Sequence, residues 1–105
     1  MEKIWWSEEA KDDLVSIHEH ISQHSAFNAN RQLDKLVSRV KQLQDFPNSG
    51  RIMPDFNDTT LRELILGRYR IVYELHDDGI AIVRIVHSSR QIKTIKKWPA
   101  DDSFY

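Results

Sequence analysis

The chain has no cysteine, which removes disulfide scaffolds and thiolate zinc sites from consideration. It has no apolar run approaching the roughly 20 residues that a membrane-spanning helix needs. Its first residues, MEKIWWSEEAKDD, lack the apolar core of a secretory leader. It also has no excess of charge of one sign, since the formal net charge is −1, so bulk electrostatics do not argue for a nucleic-acid partner. There is no internal repeat and no linker-like stretch. These absences lead us to expect one soluble, cytosolic domain over residues 1–105, with about 99–105 as a tail, no membrane association and no cofactor.

A 40% hydrophobic fraction allows a modest core, and a 30% charged fraction of mixed sign is that of a globular chain. The charge is unevenly placed. Residues 1–66 carry 8 basic and 11 acidic groups, whereas residues 67–99 carry 7 basic and 3 acidic ones. A basic face is therefore expected in the C-terminal third.

Lys3 to Trp6 reads as a short strand. Ser7 is a natural N-cap, and Glu8 and Glu9 fall where a helix dipole favours anions. Ala10, Leu14, Ile17 and Ile21 recur at helical spacing and predict a helix to about Ser22. A second amphipathic helix is predicted from about Asn28 to Asp45, on the stripe Ala29, Leu33, Leu36, Val40 and Leu43, widened by Val37. Pro47-Asn48-Ser49-Gly50 ends it, and the short link makes the two helices an antiparallel hairpin. Residues 51–58 read as a loop. Three strands follow: Leu61–Leu66, Tyr69–His76 and Ile80–Val86, the last the most apolar and expected to be central. Gly67-Arg68 and Asp77-Asp78-Gly79 supply the turns, with Gly79 able to take positive φ. The segment SSRQIKTIKKW predicts a short basic helix that Pro99 stops. The fold class expected is α+β: an N-terminal strand, a helical hairpin and a C-terminal three-stranded antiparallel meander, with the helices on one face of the sheet.

The candidate functional residues sit in the meander. Tyr69, Ile71 and Tyr73 alternate with Arg68, Arg70 and Val72, so Arg68 and Arg70 are expected on the face away from the helices, joined there by Arg84. An arginine fork matches phosphate or carboxylate geometry, and three on one face suit an anionic partner. The plainer reading is that these arginines pair with Glu63, Glu74 or Asp77. His87 and Arg90, at the end of the last strand, could act as general acid or base and as a charge stabiliser; the plainer reading is a histidine that orders a turn. Ser88 and Ser89 read as turn formers. His18, His20 and His24 do not form the H-E-x-x-H metal motif and read as a solvated helix face, so no metal site is expected. Asp12 and Asp13, with Glu8 and Glu9, also read as a solvated face. Trp5, Trp6 and Trp98 read as packing residues.

These segments together resemble the ParE/RelE superfamily of bacterial type II toxin–antitoxin toxins. The resemblance is carried by Leu61-Arg62-Glu63-Leu64, by Gly67-Arg68-Tyr69-Arg70-Ile71-Val72-Tyr73, by the Asp78-Gly79 turn and by Val83 to Gln91. The helix start Ser7-Glu8-Glu9-Ala10, followed by Asp12-Asp13, and the link Phe46-Pro47-Asn48-Ser49-Gly50-Arg51 add to it. It covers nearly the whole chain in the right order. It implies a toxin neutralised by a cognate antitoxin whose amphipathic, often acidic segment wraps the helices and sheet.

Within the superfamily, RelE-like members cut messenger RNA on the ribosome with several basic residues and a C-terminal tyrosine, histidine or glutamate. Arg70, His87 and Arg90 are the candidate catalytic set on that reading. No Lys or Arg lies between Arg51 and Arg62, and no tyrosine follows the last strand until Tyr105. The ending Ile85-Val86-His87-Ser88-Ser89-Arg90 looks more like the ParE side, which includes plasmid stabilisation toxins and whose characterised members poison DNA gyrase. On that reading Arg68, Arg70, Arg84 and Arg90 are target- or antitoxin-binding residues, and the chain inhibits growth by binding rather than by cutting. A degenerate member kept only as a binding module is a third reading.

Overall fold

The computed structural model describes residues 3–96. The elements run β1 (Lys3–Trp6), α1 (Glu8–Ser22), α2 (Ala26–Gln42), β2 (Arg51–Ile52), β3 (Leu61–Leu66), β4 (Tyr69–His76) and β5 (Gly79–His87). The strands form one sheet in the order β1-β5-β4-β3-β2. β3, β4 and β5 are the expected antiparallel meander. β1 adds to β5 in parallel, and β2 adds to β3 as a two-residue antiparallel edge inside the stretch predicted to be loop.

β4, not β5, is the middle strand, although β5 is flanked on both sides. The positive φ of the meander belongs to Gly67, at 58°. Gly79 instead lies in β5 against β1, where a Cβ would stand 2.5 Å from the Lys3 carbonyl oxygen. Residues 91–96 form no helix or strand; the remainder of the predicted basic helix, Trp98, Pro99 and the tail 99–105 lie outside the described residues.

Ser7 joins the first strand to the first helix. Its hydroxyl accepts from the Ala10 amide at 3.0 Å, as the predicted N-cap should, and donates to the Val83 carbonyl at 3.0 Å. Ser25 caps α2 in the same way, accepting from the Asn28 amide. The helical hairpin then lies on one face of the sheet. Ala10, Leu36, Val40 and Leu43 pack there against Leu64, Ile71, Tyr73, Ile80, Ile82 and Ile85, the stripes and alternation that the periodicity indicated.

The other face is not open. Met53 and Phe56 from the loop after β2, and Ile92 and Ile95 from the segment after β5, cover Leu61, Val72, Ala81, Val83 and Val86 in a second apolar cluster. The sheet is thus buried on both faces, which a β4 without a solvated side requires: Arg70 through Glu74 are all buried.

One irregularity repositions a candidate residue. Tyr73 pairs with Ile82 but Val72 pairs with Arg84, so Val83 is an extra residue in β5. Such a bulge bends the strand and re-aims the residues after it. Ile80 and Ile82 before it, and Ile85 after it, therefore all reach the helix-side core.

Candidate functional site

Arg70 lies on the face away from the helices, as the alternation predicts, but it is 8% exposed rather than displayed. Its guanidinium meets Glu63 at 3.2 Å, Asp55 at 3.7 Å and the backbone carbonyl of Arg90 at 3.2 Å. Glu63 has a fully buried side chain and also receives Arg51, whose Nε and Nη2 stand 3.1 and 3.0 Å from Oε2. Two arginines therefore flank one buried carboxylate, and one of them, Arg70, also meets Asp55 and a backbone carbonyl. Desolvating a charge is costly unless it is paired and hydrogen-bonded, and this arrangement pairs it twice. The plainer reading of Arg70, an arginine paired with Glu63, describes its contacts.

Arg84 pairs with Val72 and so lies on the side of Val72 and Val86, away from the helices, but its guanidinium reaches α1, where Asp13 accepts its Nε at 2.7 Å and its Nη2 at 3.0 Å. The Asp13 carboxylate holds the Arg84 guanidinium above its ordinary value. The same carboxylate accepts the Ile85 amide at 2.8 Å. β1 has ended by then, so Asp13 completes the free edge of β5. Asp13 was expected on a solvated face, and nothing in its local sequence signals a partner 71 residues away.

The candidate residues divide between two clefts. Arg84 and Arg90 line one of about 320 Å³ beyond β5, together with Lys93. Arg90 and Lys93 are exposed and make no ion pair among the described residues, so this cleft presents the basic character expected of the C-terminal third. Lys93 was not singled out in the sequence because it was assigned to a helix. Arg68 and His87 line the other cleft, of about 490 Å³, where the β3–β4 turn meets the end of the helical hairpin. Arg68 is in that turn and not on the face of Arg70.

Arg70, His87 and Arg90 do not converge. Arg70 touches the backbone of Arg90, and the His87 ring packs edge-on against Tyr69 with centroids 5.7 Å apart. His87 Nδ1 lies 2.7 Å from the Ser89 hydroxyl and accepts the Ser89 amide at 3.2 Å. Ser89 thus has a histidine partner that the sequence did not suggest. It is an exposed contact two residues apart that orders the turn. Because Nδ1 accepts the amide proton, Nε2 is the proton-bearing nitrogen of the neutral ring.

The Pro47–Arg51 link is pinned to the sheet. The Tyr73 hydroxyl donates to the Pro47 carbonyl at 2.7 Å and accepts the Gly50 amide at 2.9 Å. A Cβ on Gly50 would stand 2.7 Å from that hydroxyl and 2.8 Å from the Glu63 carbonyl oxygen, so the site admits only glycine without rearrangement. Burial raises the Tyr73 phenol above its usual value. Among the described residues no helix is long and apolar enough to cross a membrane, and no cluster of three or more candidate ligands could hold a metal ion.

A helical hairpin on one face of a mixed, mostly antiparallel sheet, with basic clefts at the end of the last strand, defines a small α+β class of chain. The family model described as the ParE toxin of the type II toxin–antitoxin system parDE matches residues 4–92. A curated relative, Toxin RelE2 of Caulobacter vibrioides, is 34% identical over 91 residues, spanning 86% of this chain and 99% of that one. A chain of the chromosomal ParDE TA system from P. aeruginosa superposes with a TM-score of 0.70 at 26% identity, over 83% of this chain and 96% of that chain. The protein belongs to the ParE family of type II toxin–antitoxin toxins.

Proposed function

We propose that the chain is a ParE-like toxin that inhibits growth in the cytoplasm by binding a macromolecular target, with DNA gyrase the target its branch suggests, and that a cognate antitoxin neutralises it. One observation carries this choice over a nuclease. The reading is supported by the pairing of Arg70 with Glu63 and Asp55 and by the placement of the His87 and Arg90 side chains on different clefts, which does not gather the three around one phosphate. General acid–base catalysis needs its groups within hydrogen-bond reach of one reacting centre.

The antitoxin claim draws support from the helical hairpin. Trp6, Leu14, Val15, Leu33 and Val37 line an apolar groove of about 650 Å³ along α1 and α2, and Val15 and Phe27 are exposed at 56% and 72%. An amphipathic segment lays its apolar face into such a groove, and an acidic continuation suits the Arg90 and Lys93 cleft.

Expression of the chain alone tests the reading. DNA-damage response and accumulation of gyrase–DNA cleavage complexes, without codon-phased cuts in messenger RNA, are expected. Codon-phased cuts would overturn it in favour of a ribosome-dependent mRNA endoribonuclease, and in that case His87→Ala removes most of the activity. Absence of any growth defect would favour a non-toxic binding module.

A further inference from the structure

The cleft of about 490 Å³ at the hairpin end is not needed by the reading above, and its lining has one sign. α1 and the turn after it contribute His20 and His24, the β3–β4 turn contributes Arg68, and β5 contributes His87. α2 contributes the uncharged Asn28 and Gln32, and among the described residues no carboxylate lines the cleft. Arg68 is exposed and makes no ion pair among the described residues. The neutral His87 presents Nε2–H, because Nδ1 is turned to the Ser89 amide.

The start of α2 adds to this. Its first turn carries no acidic residue, whereas α1 has Glu8 and Glu9 at the equivalent place. The positive end of the α2 dipole is therefore not offset by the helix's own side chains, and its cap, Ser25, is part of the cleft wall. An arginine fork and three imidazoles stand beside this helix start, with no competing anion among the described residues. The volume lies in the range of small-ligand sites.

We propose that this cleft binds the phosphate monoester of a small ligand such as a mononucleotide, with Arg68 as the principal contact and His20, His24 and His87 around it. A monoester is favoured over a carboxylate or a diester because it alone reaches a charge near −2, which several cationic groups reward.

The test is an NMR titration of the full chain with inorganic phosphate, a nucleoside 5′-monophosphate and succinate, at constant ionic strength, following the histidine ring signals. Both phosphates should produce saturable shifts at His20, His24 and His87. Arg68→Ala, a change at an exposed turn that leaves the core untouched, should weaken phosphate binding about tenfold or more, because hydrogen bonds to charged groups are the strong ones. Arg90→Ala, on the other cleft, should leave it unchanged. Tighter binding of the nucleotide than of inorganic phosphate places its sugar and base in the cleft; equal binding confines the contact to the phosphate, and both support the site. Shifts that persist in Arg68→Ala, a failure to saturate, or succinate binding as well as phosphate would overturn it. None of these outcomes depends on which target the toxin acts upon.

Discussion

The two faces of the sheet are buried to a similar depth by opposite means. On the helix side β4 presents Tyr69, Ile71, Tyr73 and Leu75, and the Tyr73 hydroxyl, deep in that packing, is satisfied by the Pro47–Gly50 link. On the other side the same strand presents Arg70, Val72 and Glu74, and the neighbouring strand adds Glu63. One face is closed by apolar packing against helices. The other is closed by short covering segments and needs its charges to neutralise one another. Burial does not imply apolarity, but a buried charge is tolerated only with its partner in place.

Removing one partner on the ionic face is the sharpest way to break that comparison. Glu63→Ala leaves Arg70 buried with only Asp55 and a carbonyl, and should cost about 3–5 kcal/mol of stability, measurable by denaturant unfolding. Replacing both members, Glu63→Leu with Arg70→Leu, should recover most of the loss, because paired charges roughly balance their own desolvation. A single variant losing less than about 1 kcal/mol would mean that the network is solvated like a surface pair.

The corresponding change on the helix side is smaller. Tyr73→Phe keeps the packing and strands the Pro47 carbonyl and Gly50 amide, so about 1–3 kcal/mol is expected. The pH dependence gives a second readout. The folded phenol titrates above 10.0, its ordinary value. The folded state therefore holds the proton more tightly, and its stabilising contribution is fully present below pH 10.0 and is lost as the pH rises above it. The alkaline loss should be shallower in Tyr73→Phe than in the parent; equal slopes would refute the assignment. Comparable in size is Asp13→Ala, which removes the partner of Arg84 and of the Ile85 amide and should cost about 1.5–3 kcal/mol.

The asymmetry between the faces also explains what could be read in the sequence. The alternation of Tyr69, Ile71, Tyr73 and Leu75 and the stripes of both helices follow from a single apolar surface, so periodicity located that face and the elements that build it. The other face obeys no such pattern. Arg70 was placed on its proper side, but its burial depends on the register that sets Glu63 near it, and on Met53, Phe56, Ile92 and Ile95 arriving from segments without regular structure. β2 is too short to carry a period. The bulge at Val83 has no sequence signature, and it sets Arg84 on the side of Val72 rather than on that of Ile80 and Ile82. Of the candidate site, the basic character of the C-terminal third was legible in the charge count. Its division into two clefts was not, because that depends on where a turn and a helix end meet.

The smallest effect on stability should accompany the largest on recognition. Arg90 and Lys93 are exposed, unpaired among the described residues and set beside the pair Arg84–Asp13, which fixes one wall of their cleft. Arg90→Ala with Lys93→Ala removes no core contact of either side chain, so the free energy of unfolding should change by no more than the about 0.5 kcal/mol usual for surface changes. Arg70 still reaches the Arg90 backbone carbonyl, since that contact does not use the side chain. If the cleft serves an acidic antitoxin segment, association should slow and lose its salt dependence, as rim charges act mainly on encounter. Stopped-flow association at two ionic strengths separates the outcomes. Unchanged rates at low salt would remove the cleft from the interface and leave the apolar groove of the hairpin as the docking surface. A large loss of stability would instead mean that the segment after β5 is held by its charges, making the ionic face depend on surface residues that the helix face does without.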